Sequence, residues 1–155
     1  MSLEKVISSI MFEIKQIDQL FESYKTLLNH CKENKPDLIE LTALASVLHS
    51  FYNGIENIFL QIAKKIDCFV PQGKQWHRDL LLQMTKELEG RQRVISDELK
   101  LKLVEYLGFR HFYRHSYSFF LRWDELEKLV YPLTEVWIQL KSELNIFLDR
   151  LSEDS

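Results

Sequence analysis

The chain has 155 residues, a formal net charge of −3 and a sequence pI near 6.0. That length suits one domain covering 1–155, with a core that needs no staples. The mild acidity excludes indiscriminate binding of polyanions, so a nucleic-acid partner would have to be met by a local patch.

Only 4 glycines and 3 prolines punctuate a chain that is 46% hydrophobic and 28% charged, which favours long helices. Cys31 and Cys68 lack C-x-x-C spacing and read as two reduced thiols. No cationic leader with an apolar run opens the sequence, and no apolar stretch reaches about 18 residues. The expected location is the cytoplasm.

The first predicted helix runs from Leu3 to Lys32. Leu3, Ile10, Ile17 and Tyr24 recur every seventh residue beside Ile7, Ile14, Phe21 and Leu28, the stripe of a helix packed lengthwise on another. Pro36 closes the polar run that ends it. The second, from Asp37 to Asp67, keeps the same spacing through Leu41, Leu44, Leu48, Phe51, Ile55, Ile58 and Ile62. Ala45, Val47 and Phe59 widen its apolar face, so it should sit centrally. His49, Asn53 and Glu56 lie one turn apart on one side. They read either as a solvated edge or helix–helix hydrogen bond, or, for Glu56, as support for an active site. Gly54 in mid-helix suggests a close neighbour.

Pro71 and Gly73 mark a loop, and His77 to Glu87 reads as a short third helix that Trp76 and His77 lock to the bundle. His77 reads as a packing or capping residue rather than a catalytic one. Gly90 to Arg93 reads as a solvated basic turn or as part of an RNA footprint. Ser96 is an N-cap candidate for the fourth helix, with Asp97 and Glu98 suited to its positive end. Gly108 is a candidate bend. Asp124 with Glu127 resembles a capping box that begins another helical piece, and Pro132 breaks that piece. Leu133 to Leu151 forms the last amphipathic helix. Short loops between these elements predict an all-α, up-and-down bundle of four long helices plus short ones.

One stretch departs from the acidic character of the rest. From Tyr106 to Trp123 there are three arginines, two histidines and no acidic residue. On a helical wheel with Arg110 at zero, Arg114 falls at about 40°, His111 at about 100°, His115 at about 140° and Tyr117 at about −20°. Phe109, Phe112, Tyr113, Phe119 and Phe120 fall mostly on the other side. One face is thus anchored while the other offers guanidiniums, imidazoles and a phenol, a set suited to a phosphate-bearing substrate.

Arg110, His115 and Tyr117 also spell R-x4-H-x-Y. This resembles the active-site signature of HEPN-domain ribonucleases and of the HepT-like toxins among them, on a late helix of a small helical chain. Tyr52 to Glu56 and Trp76 to Leu81 look similar to HepT-type sequences as well. The resemblance implies a toxin ribonuclease, a homodimer with both motif copies facing one cleft, and a minimal nucleotidyltransferase antitoxin that adds AMP to the motif tyrosine, here Tyr117.

For cleavage of RNA by its own 2′-hydroxyl, His115 is the expected acid/base and Arg110 the charge stabiliser. These two roles are also what the resemblance implies. His111 is a second proton-transfer candidate, Arg114 a holder of backbone phosphates, and Tyr117 an orienting group. Such a set suffices without a metal or other cofactor. His111 and His115, one turn apart, would supply two metal ligands, but the stretch has no carboxylate or cysteine to complete a site. The alternative is a non-catalytic helical adaptor that binds a nucleotide or a nucleotidyltransferase partner.

Overall fold

The structure, a computed structural model, describes residues 2–115, 117 and 121–154. Among these it is all-α, with one isolated bridge between Leu88 and Arg91. The helices are α1 (Leu3–Ser23), α2 (Lys25–His30), α3 (Leu38–Ile62), α4 (Trp76–Gln83), α5 (Asp97–His115), α6 (Trp123–Val130) and α7 (Leu133–Glu153). A π-helical turn, Ala63–Asp67, continues α3. The four long helices α1, α3, α5 and α7 form the predicted bundle, and α3 packs against α1, α4, α5 and α6.

Each long helix sends one aromatic ring to the middle. Phe51 of α3 lies edge-on to Phe21 of α1, Tyr106 of α5 and Trp137 of α7, with ring centroids 5.7, 5.5 and 6.2 Å away. Such pairs add roughly 0.5–1.5 kcal/mol each beyond burial itself. Ile10, Leu44, Ile55, Ile58, Leu140 and Leu144 fill the layers around them. The two polar atoms brought into this centre are satisfied. The Trp137 indole N–H donates to Asp18 at 2.8 Å, and the Tyr106 hydroxyl donates to the Leu129 carbonyl at 2.7 Å. Burial pushes the Tyr106 phenol well above its usual range, which keeps it a donor.

Several expected local features are present. Ser96 Oγ accepts from the Leu99 N–H at 3.2 Å, and Pro132 separates α6 from α7. A Cβ on Gly54 would stand 2.8 Å from Ile17 Cγ1, so α1 and α3 meet there as closely as glycine permits. Asp37 and Glu40 form a capping box at the start of α3.

Others differ. Tyr24, at φ −108° and ψ 13°, splits the single helix expected from Leu3 to Lys32. The α-helical part of the second helix ends at Ile62, because its last turn shifts to π register. The third helix stops at Gln83. Asp124 and Glu127 make no capping box: α6 begins at Trp123, and the Asp124 carboxylate meets Arg122 at 3.2 Å. Gly108 introduces no break, since α5 runs through it unbroken.

Candidate functional site

On α3, the spacing of four and then three residues sets His49, Asn53 and Glu56 in a row along one side. Arg110 of α5 lies across that row. Its Nε donates to Asn53 Oδ1 at 2.9 Å, and its Nη2 stands 3.7 Å from Glu56 Oε1. Because Nε is a donor, it fixes which end of the Asn53 amide faces it. Asn53 Nδ2 therefore points the other way and donates to His49 Nε2 at 3.1 Å. That nitrogen must carry a lone pair, so His49 is neutral with its proton on Nδ1. Burial first, then the charges of Arg110 and Arg114, hold the His49 imidazole below its usual range, in agreement with a neutral ring. His49 also stacks on Tyr113 of α5, with centroids 4.9 Å apart.

Glu56 is buried, with its side chain only 7% exposed, yet it is doubly compensated. Its second oxygen, Oε2, accepts from His77 Nδ1 at 2.7 Å. The His77 ring stacks on Trp76 at 3.6 Å between centroids. His77 comes from α4, so one carboxylate joins α3, α4 and α5. Its neighbour Tyr52, raised by burial and then by the Glu56 charge, stays a protonated phenol.

Between α4 and α5 runs a groove of about 730 Å³. Lys74, His77 and Arg78 line one side, and Arg110, His111, Arg114 and His115 the other, with Glu105 as the one acidic residue in the lining among the described residues. The rings of His111 and His115 lie 4.7 Å apart. Guanidinium groups offer paired donors to phosphate oxygens, and imidazoles exchange protons near neutral pH, so the groove can bind a phosphodiester and move protons at it.

The structure thus brings Arg110, His111, Arg114, His115 and Glu56 together. It differs from the sequence reading at Tyr117. That residue is 71% exposed and lies beyond His115, where α5 ends, so the helical wheel does not fix its direction. Ser116, Phe119 and Phe120 lie outside the described residues. Phe112, expected to be anchored, is 40% exposed. The cationic stretch is also not isolated from acids, because Glu56 reaches it from α3. Arg91 belongs to no nucleic-acid footprint. Its side chain is sealed inside, where Nε and Nη2 hold both oxygens of Asp67.

His77 and Asn53 are the site residues that sequence reasoning undervalued. A signal existed for Glu56. It shares a side of α3 with Tyr52 and Phe59, both buried, and a carboxylate on an apolar face needs cationic or donor partners. Among the described residues no group of three His, Cys, Asp or Glu side chains is placed to hold a metal ion.

A family model described as HepT-like protein matches residues 43–151, more than half of the chain. The chain belongs to the HepT-like protein family. The match begins within α3 and ends in α7, so it takes in Asn53, Glu56, His77 and the whole basic stretch of this HepT-like protein. No curated protein and no solved structure matches it.

Proposed function

We propose that this HepT-like protein is the toxin of a toxin–antitoxin pair, an endoribonuclease that needs no metal. The observation that carries the reading is the anchoring of Arg110. Asn53 and Glu56 fix the guanidinium from behind, at the edge of a groove where three imidazoles and three further cations converge. Ordinary solvated arginines have no such second layer, whereas a group that must stabilise a phosphorane needs one. His115 performs proton transfer, His111 assists it, Arg114 holds neighbouring phosphates, and Glu56 keeps Arg110 in place.

The regulatory half of the reading concerns Tyr117. An adenylyl group on this exposed phenol, two residues beyond His115, adds a negative phosphate and a base at the end of the basic stretch, where they would compete for the contacts an RNA backbone needs. A minimal nucleotidyltransferase antitoxin is the proposed donor of that group. A homodimer is proposed as the working unit, on the strength of the family resemblance. The groove between α4 and α5 is framed within one protomer, so a second copy is not needed to make a hollow.

The test is incubation with total RNA in EDTA, with Arg110→Ala and His115→Ala beside the wild type. Fragments from the wild type alone are expected. Intact RNA in all lanes would favour the adaptor reading. Intact-mass measurement after co-expression with the antitoxin, followed by peptide mapping, checks the adduct. An adduct elsewhere than Tyr117 would overturn the regulatory half.

A further inference from the structure

We propose that His77, its ring held by Glu56, is a second catalytic residue of this site. It is the general acid that protonates the leaving 5′ oxygen, while His115 accepts the proton of the attacking 2′ hydroxyl. The inference rests on the ribonuclease reading and adds a side chain from a different helix to it.

Three observations lead there. Glu56 divides its two oxygens between His77 and Arg110, at 2.7 and 3.7 Å. One carboxylate therefore sets an imidazole beside the guanidinium that would bind the phosphate. The same contact selects a tautomer. A carboxylate paired with an arginine only accepts, so His77 carries a proton on Nδ1, and Nε2 is the nitrogen left for chemistry. Stacking on Trp76 holds the ring plane, and the side chain is 24% exposed, open to the groove without being loose. Finally, His115 lines the groove five residues further along α5 than Arg110, roughly 7.5 Å along the helix axis. The phosphate clamp thus has one imidazole from α4 and another from the end of α5.

The partners divide the labour. His77 faces a carboxylate that offsets the charge of a protonated ring. His115 stands among Arg114 and His111 and has no carboxylate contact among the described residues, so it takes the other role. In the step itself the 2′ oxygen bonds to phosphorus and its proton passes to His115. The bond from phosphorus to the 5′ oxygen breaks, and that oxygen takes the proton from His77 Nε2. The products are a 2′,3′-cyclic phosphate and a free 5′ hydroxyl, with no oxidant or further reactant.

A purely structural His77, tying α4 to α3, is the rival explanation, and the leaving group separates the two. The substrate is the shortest RNA fragment the wild type cleaves, made once with the natural 5′ oxygen and once with sulfur bridging at the scissile bond. A thiolate leaves without protonation. His77→Ala, and His77→Asn, which keeps an N–H for Glu56, should lose about 10²–10⁴-fold on the oxygen substrate. Both should recover to within about tenfold of wild type on the sulfur substrate, whereas His115→Ala should not recover. Cleavage of the oxygen substrate by His77→Asn at near wild-type rate would overturn the proposal, and so would equal losses on both substrates. A wild type that cleaves no RNA would instead bring down the ribonuclease reading, and this inference with it.

Discussion

Arg91 and Arg110 each meet a carboxylate that the fold has buried, Asp67 and Glu56 respectively. Arg91 uses every N–H it has. Nε and Nη2 hold the two Asp67 oxygens, and Nη1 and Nη2 also donate to the carbonyls of Lys86, Gln92 and Gln83. Both side chains of that pair are 1% exposed. Arg110 donates one hydrogen bond, to Asn53, and faces Glu56 at the looser distance of 3.7 Å. Its other N–H groups have no hydrogen-bond partner among the described residues, and its side chain is 12% exposed at the edge of a groove. An arginine with all five donors satisfied holds loops together. One fixed at its rear with its fork open is set up to bind something else.

The largest expected effect is on the closed pair. Arg91→Ala leaves the buried Asp67 carboxylate without its cation, with only the Gln83 amide still donating to it, and strips three carbonyls of a donor, and should cost about 3–5 kcal/mol of stability, read by urea unfolding. The folded fraction should keep its RNA cleavage. If cleavage per folded molecule collapses as well, the two arginines are not separate in function. Next is Arg110→Lys, which keeps the charge and loses the planar fork. Cleavage should fall about 10²–10³-fold while the unfolding midpoint moves little. Near wild-type cleavage would reduce Arg110 to a generic cation.

Gly54→Ala probes the support behind Arg110, since Gly54 lies between Asn53 and Glu56 on α3 and faces Ile17. Forcing a methyl into that contact should cost about 1–3 kcal/mol. If the anchoring of Arg110 depends on how α3 sits against α1, cleavage should drop too. The smallest effect concerns His49. Its imidazole is held below the usual range in the folded chain, whereas the unfolded chain takes up a proton there at a pH of about 6.5. Stability from the neutral ring is therefore complete above that pH and shrinks as pH falls below it. Between about pH 7 and pH 5, the wild-type Tm should fall further than that of His49→Gln. Parallel curves would remove His49 from the row behind Arg110.

The elements were legible where a local rule decided them. The apolar stripes of α1 and α3, the break at Pro132, the cap at Ser96 and the tight approach at Gly54 each follow from residues within one or two turns. The cationic face of α5 was legible for the same reason. The bond between Glu56 and His77 spans 21 positions and depends on how α4 returns across α3, which periodicity does not encode. Arg91 misled in the opposite direction. In sequence it belongs to a basic turn after Gly90, and only the fold shows Asp67, 24 positions earlier, waiting beneath it. The false capping box in α6 has a simpler cause. Asp124 and Glu127 have the spacing, but Arg122 is the extended residue before the helix, and α6 starts two residues too early for Asp124 to be its cap.

The π-helical turn at the end of α3 bears on which insertions and deletions the chain can survive. Between Ala63 and Asp67 the helix holds one residue more than α geometry allows, and the chain leaves it through Cys68 in the left-handed conformation at φ 57°. One residue more there, which the single π turn could not absorb, would turn each later side chain by about 100°. Asp67 would swing away from Arg91, and the connection that brings His77 onto Glu56 would lose its starting direction. The segment 72–75 is under no such constraint, because it is exposed, Gly73 sits in open space and the helix restarts only at Trp76. Changes of length between relatives should therefore gather in that loop, with the turn just before it fixed in length.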